Sequence, residues 1–180
     1  MAVKLEKINT SDFDALLEIT SNSEVTKYIG DSKPWTPEKT KKFIEYCVAD
    51  DKKPDNTRDW FTYKITYNGL FAGIIEFKTI DKFIHSMKPH DRAKYKNDVI
   101  LTIFVNPKLH GQGIAGSAIN LLLGEIREKK PRARHLFSMV RVKNTIMQHV
   151  MNKEKFTRMY NINIKAEQFV LYNITIPLKK

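Results

Sequence analysis

Residues 60–80 read WFTYKITYNGLFAGIIEFKTI, two runs rich in β-branched and aromatic residues with Asn68-Gly69 between them. Such runs around an Asn-Gly pair predict a tight antiparallel hairpin, because both turn residues tolerate the positive φ that the turn requires. The middle of the chain is thereby committed to an antiparallel sheet. Farther on, VILTIFVN at 99–106 is apolar almost throughout, as a central strand covered on both faces should be. A glycine-rich turn follows, then a helix over 117–129 with Ile119, Leu122, Leu123 and Ile126 as its buried stripe. HLFSMVRV (135–142) reads as a strand, 144–156 as a helix, and 157–176 as a closing pair of strands. Strand, helix and strand in succession, twice in this half, call for a partly parallel sheet.

The N-terminal third is mostly helical. Residues 3–9 make a short strand, and any of Asn9, Thr10, Ser11 or Asp12 can cap a helix over 11–20. The stretch 21–35 is polar and turn-rich, with Tyr28, Ile29 and Trp35 as expected buried anchors. Thr36-Pro37-Glu38 opens a second helix, the threonine as cap and the proline in the first turn. Its apolar stripe is Phe43, Ile44, Cys47 and Val48. Residues 50–59 and 81–97 read as a polar connection and a long polar insertion. The expected order is β-α-α-β-β-β-α-β-α-β-β, an α/β (α+β) fold with a central mixed sheet, helices on both faces, and a single domain over 1–180.

Several function classes are disfavoured. No apolar run approaches the ~18 residues of a membrane span, and MAVKLEKINT lacks the apolar core of a signal peptide, so a cytoplasmic protein without a membrane partner is expected. The single cysteine, Cys47, reads as a buried structural thiol. Five histidines with one cysteine and no ligand-spaced pair give no expectation of a metal. The net charge is +11, but its lysines are spread through KKF, DDKKP, KPHDRAKYK, REKKPRAR and the final KK. Many have acidic neighbours, and none alternate with aromatics as a single-strand binder requires. Solvated surface charge, rather than a dedicated nucleic-acid face, is the expectation.

The chemistry lies in Val105-Asn106-Pro107-Lys108-Leu109-His110-Gly111-Gln112-Gly113-Ile114-Ala115-Gly116-Ser117. A buried strand ends, three glycines follow, and a helix begins. Glycines let backbone N–H groups approach a ligand with no Cβ in the way. The helix N-terminus adds unpaired donors and positive partial charge, so the segment is suited to a phosphate or pyrophosphate. The bland alternative is a tight strand–helix connection. A Walker loop is excluded because no Lys-Ser/Thr follows the last glycine. The preceding hairpin does not belong to a Rossmann unit.

His110-Gly111-Gln112-Gly113-Ile114-Ala115 resembles motif A of the GNAT superfamily of N-acetyltransferases, Arg/Gln-x-x-Gly-x-Gly/Ala after a buried strand, with His110 at the usual Arg/Gln. Asn144 through Phe156 resembles motif B, with Lys155 at the usual glycine. EVTKYIGDSKPWTPEKTKKFI resembles the N-terminal region of the Rim-type branch, which modifies protein N-termini and has small-molecule relatives. The resemblance implies acetyl-coenzyme A as co-substrate and direct transfer to a primary amine, on a protein N-terminus or a small molecule, by a monomer or homodimer. It also implies that backbone groups of Ile103, Phe104 and Val105 hold the pantetheine arm and acetyl carbonyl. Gly111, Gln112, Gly113, Ile114, Ala115 and Gly116 then bind the pyrophosphate, with His110 beside them, and Asn144 contacts the coenzyme arm.

The family's usual acids fall on Met151, in place of a tyrosine, and Met147, in place of a serine. Either water protonates the leaving thiolate or another residue does, with Tyr160 and Ser138 as candidates, each with a structural role as its alternative. For the base, Glu76 is an acid on an otherwise apolar strand and is weighed evenly against an outward-facing residue. Asp98, His85 and His90 are weaker candidates. The competing functions are a catalytically weak coenzyme A binder and a basic nucleic-acid-binding module.

Overall fold

Asn68 and Gly69 take φ of +50° and +82°, the pair of left-handed residues that a two-residue hairpin turn needs. They join β2 to β3 in a computed structural model that describes residues 2–177, so that the terminal Lys179-Lys180 pair lies outside the described residues. In chain order the elements are β1 (Val3–Glu6), α1 (Phe13–Thr20), α2 (Ser23–Thr26), α3 (Pro37–Asp50), β2 (Trp60–Tyr67) and β3 (Leu70–Thr79). Then come α4 (Asp81–Ile84), α5 (Pro89–Tyr95), β4 (Val99–Val105), α6 (Ile114–Lys129) and β5 (His135–Arg141). The chain continues with α7 (Thr145–Lys153), β6 (Thr157–Ile164) and β7 (Glu167–Thr175). The sheet has seven strands in the order β1-β2-β3-β4-β5-β7-β6. It is mixed, with β4 and β5 parallel and β1/β2, β5/β7 and β6/β7 antiparallel. The α/β class and mixed sheet expected from the sequence are present.

The chain forms two compact units, one comprising residues up to Glu76 with Ile103–Leu122, the other Phe77–Thr102 with residues from Leu123 onward. In the first, Ile8, Leu16, Ile44, Cys47 and Ile74 pack into one buried cluster, so α1 and α3 lie on the face of β3 that carries Ile74. Full burial of each such side chain contributes about 1.5–3 kcal/mol. Asn9 is the cap: its side chain accepts from the Ser11 N–H while Asp12 accepts from the Asn9 N–H, a reciprocal pair that closes a single 3-10 turn before α1. The same Asp12 holds the Lys64 ammonium at 2.9 Å, tying α1 to β2. Thr36 caps α3 through the Lys39 N–H. The buried residues of 21–35 are Val25 and Thr26 on α2, while Tyr28, Ile29 and Trp35 are only half-buried. Trp35 instead presents its edge to Phe43 and Phe104, with ring centroids 5.2 and 6.3 Å away.

In the second unit the buried cluster is Ile80, Met87, Tyr95, Ile100, Phe137, Ile162 and Leu171. Two of its members come from 81–97, which is therefore not a plain polar insertion. It folds as α4 and α5, and Arg92 braces their junction by donating to the carbonyls of Met87 and His85. Helix α7 ends where the Phe156 N–H donates to the Met151 carbonyl and the Lys155 N–H to that of Asn152, with Lys155 at φ +61°. That double bond pattern is a Schellman cap, a position usually filled by glycine. Among the described residues no helix is long and apolar enough to cross a membrane.

Candidate functional site

Strand β4 changes character along its length. Val99, Ile100 and Leu101 are buried and pair with Leu136, Phe137 and Ser138, whereas Thr102 through Val105 are half-exposed. At its far end the Asn106 N–H donates to the Ala72 carbonyl at 2.8 Å, so β3 secures that end. Gly73 permits the closeness, since a Cβ there would stand 2.2 Å from the Phe104 carbonyl oxygen.

Beyond it, Asn106 accepts from the Lys108 N–H and starts a 3-10 turn over Pro107–Leu109. Gly111 and Gly113 then adopt φ of +80° and +74°, and a Cβ at either would meet nothing within 4 Å. With Gln112 they are exposed. Helix α6 begins at Ile114, three residues before the expected start. Gly116, read from sequence as loop, is buried in the first turn. The first helical bond runs from the Ser117 N–H to the Gly113 carbonyl, so the N–H groups of Ile114, Ala115 and Gly116 precede the intrahelical ladder. An open glycine loop running into a helix N-terminus fits a pyrophosphate. The His110 ring lies with Nε2 3.1 Å from the Val105 carbonyl oxygen, bracing the loop against the strand end.

Glu76 sits on β3 of the same unit. It is buried, 8% exposed, and so does not face solvent. Its Oε2 accepts from the Trp60 indole N–H at 2.9 Å, and the Tyr46 ring lies 5.4 Å from that of Trp60. Glu76 and Ile74, two residues apart on a strand, point to the same face, the one carrying α1 and α3. Sequence reasoning did not single out Trp60; the signal was the hairpin itself, whose open end brings the start of β2 near the end of β3.

The remaining candidates belong to the second unit. Asn144 caps α7, its Oδ1 accepting from the Met147 N–H at 3.1 Å. The Tyr160 hydroxyl donates to Asp91 at 2.6 Å and accepts from the Lys88 N–H. Burial, and then the Asp91 bond, push its pKa up to about 12. These contacts favour the structural reading of Tyr160. Asp98 is buried and fully engaged: Oδ1 accepts from the Arg134 and His135 N–H groups, and Oδ2 lies 2.9 Å from His135 Nδ1. Ser138 is buried on β5 in register with Tyr172. His85 and His90 are exposed, and Met151 is fully buried. Among the described residues no group of three or more His, Cys, Asp or Glu is placed to hold a metal.

The family described as the acetyltransferase (GNAT) domain matches residues 3–157. No curated protein matches the chain. Among solved structures, a GNAT-family acetyltransferase from Bacillus anthracis is 21% identical, with a TM-score of 0.68 over 96% of this chain and 93% of its own. The aminoglycoside acetyltransferase AAC(6')-Ib in complex with coenzyme A is 14% identical, with a TM-score of 0.76 over 97% and 95%. RimL, a ribosomal L7/L12 alpha-N-protein acetyltransferase solved with coenzyme A, is 16% identical, with a TM-score of 0.73 over 98% and 95%. These likenesses establish a shared fold.

Proposed function

Because the chain belongs to the acetyltransferase (GNAT) family, and is by that membership an acyltransferase, we propose that it moves an acetyl group from acetyl-coenzyme A to a primary amine by direct attack. Residues 1–180 act in this reading as one acetyltransferase domain, in the cytoplasm, as a monomer or homodimer. The observation that carries it is the main-chain cradle of residues 111–116 directly after the half-exposed end of β4.

Acetyl-coenzyme A, when bound, supplies an activated thioester. Gly111 through Gly116 hold its pyrophosphate through main-chain N–H groups, and the backbone of Ile103, Phe104 and Val105 aligns the pantetheine arm and the acetyl carbonyl. The gain is positional and electrostatic, since fixed N–H groups stabilise the developing oxyanion without reorganising. The amine nitrogen bonds to the carbonyl carbon, the carbon–sulfur bond breaks, and Glu76 takes the proton the nitrogen must lose. The departing thiolate takes its proton from water, because Met147 and Met151 cannot supply one and the Tyr160 hydroxyl is held by Asp91. The resemblance of residues 24–44 to the Rim-type branch, and the fold shared with RimL, support a protein N-terminus or a small amine as acceptor. The buried Met151 and the engaged Tyr160 also favour a second reading, a coenzyme A binder with slow turnover.

Calorimetric titration of acetyl-coenzyme A into the wild type and Gly113→Asp tests the first step. Asp enters the left-handed region at less cost than most residues, nothing crowds its Cβ, and its carboxylate repels a pyrophosphate. Micromolar binding that falls at least about tenfold in the folded variant supports the cradle, and no binding by the wild type refutes it. Thiol release with peptides bearing a free or an acetylated N-terminus, and with small amines, then separates transfer from mere binding.

A further inference from the structure

The net charge of +11 is not shared between the two units. The first holds twelve lysines and arginines against thirteen acids, the second nineteen against seven, so the entire surplus belongs to the second. Asp91 and Asp98, two of those seven acids, are buried and committed to Tyr160 and to the start of β5.

At one end of this unit, where β4 and β5 both begin, two basic segments meet. One, the last turn of α5 and its C-cap, carries Lys94 and Lys96; the other, a loop, carries Arg132 and Arg134, and all four are exposed. Asp98 staples them together through the Arg134 and His135 N–H groups and His135 Nδ1. Tyr95 adds an edge-on contact to the His135 ring at 5.1 Å. The Ile176 N–H donates to the Arg134 carbonyl, and Arg127 donates to the Pro177 carbonyl, so a fifth cation is fixed alongside. Lys129 and Lys130, at the end of α6, flank the loop. Cations near helix C-termini complement the dipole, which accounts for Lys94, Arg127 and Lys129. Lys96, the C-cap of α5, falls under the same account, whereas Arg132 and Arg134 lie beyond the last turn of α6.

We propose that this end of the second unit is a docking surface for the phosphodiester backbone of a nucleic-acid duplex. The partner is chosen by what the cluster holds and lacks. Arginine guanidinium groups match phosphate oxygens bidentately. A protein partner needs an apolar core at its interface, yet the exposed large apolar side chains, Tyr46, Leu70, Leu121 and Ile146, all lie outside the cluster. Its aromatic ring, Tyr95, is buried, so no stacking platform for single strands is present. Phosphate contact alone is sequence-independent and steeply salt-dependent. The surface lies apart in sequence from the glycine loop, which follows the other end of β4, so docking and acetyl transfer use different residues. This inference stands whether or not the acceptor is the amine proposed above.

The test is fluorescence-anisotropy titration of the full chain with short labelled RNA and DNA duplexes, a single-stranded RNA, and polyglutamate, between about 50 and 200 mM salt. One variant carries Lys94→Glu, Lys96→Glu, Arg132→Glu and Arg134→Glu. A second has the same net charge but carries Lys33→Glu, Lys41→Glu, Lys52→Glu and Lys153→Glu at scattered exposed positions. A third replaces the four cluster residues with Gln. The expected result is duplex binding with a log–log salt slope of about −3 to −4, at least about tenfold weaker in the cluster variants and little changed in the scattered one. Acetyl-coenzyme A binding stays intact in all three, which also reports their folding. A preference between the RNA and DNA arms identifies the duplex. Equal loss in the scattered variant, preference for polyglutamate or for the single strand, or no saturable binding would overturn the proposal.

Discussion

Lys155 occupies the left-handed position of the α7 cap at φ +61°, where a side chain costs about 1–2 kcal/mol relative to glycine. The cost is tolerated because Met151 and Phe156, the residues on either side of the cap, are both buried. Lys155→Gly is expected to raise stability by about 0.5–1 kcal/mol, since glycine relieves the strain but gives back part of the gain in unfolded-chain entropy. A urea midpoint that fell at constant slope would contradict this. The sequence marked Lys155 as a departure from a family glycine, and the backbone supplies the reason for the glycine. Glu76 was legible in the same way, as a charge on an apolar strand. Its partner Trp60 was not, because an indole sixteen residues upstream is chosen by how the hairpin closes.

Among elements, β3 and the end of β4 are tightly opposed at Gly73. A methyl group at Gly73 would stand 2.2 Å from the Phe104 carbonyl oxygen and 2.9 Å from the Val105 Cα, both backbone atoms that cannot swing aside. Gly73→Ala is expected to destabilise the chain by about 2–3 kcal/mol and to weaken acetyl-coenzyme A binding by displacing the strand that carries Ile103 to Val105. Unchanged melting and unchanged affinity would show that the opposition is soft. Elements whose signals are local were readable: the Asn68-Gly69 hairpin, the Thr36 cap of α3 and the apolar run of β4. Helix α6 started early because Gly116, a residue normally counted against a helix, sits buried in its first turn. Segment 81–97 was unreadable for a different reason. Its helices span four and seven residues, too short for a periodic stripe, and Met87 and Tyr95 are buried by residues of distant strands.

At the scale of the whole molecule, β3, β4 and α6 each contribute residues to both compact units. Neither unit can therefore lose these elements without unravelling part of the other. A single calorimetric endotherm with matching calorimetric and van't Hoff enthalpies is the expected result, and two separated transitions would mean that each unit folds by itself. The lone thiol matters for the molecule as a reagent. Cys47 is buried, and burial pushes its pKa up to about 12, so near neutral pH it offers almost no thiolate. An assay that counts released sulfhydryls with a chromogenic disulfide then has a silent baseline from the catalyst itself. Any cysteine introduced at the surface becomes a unique handle for a dye or spin label.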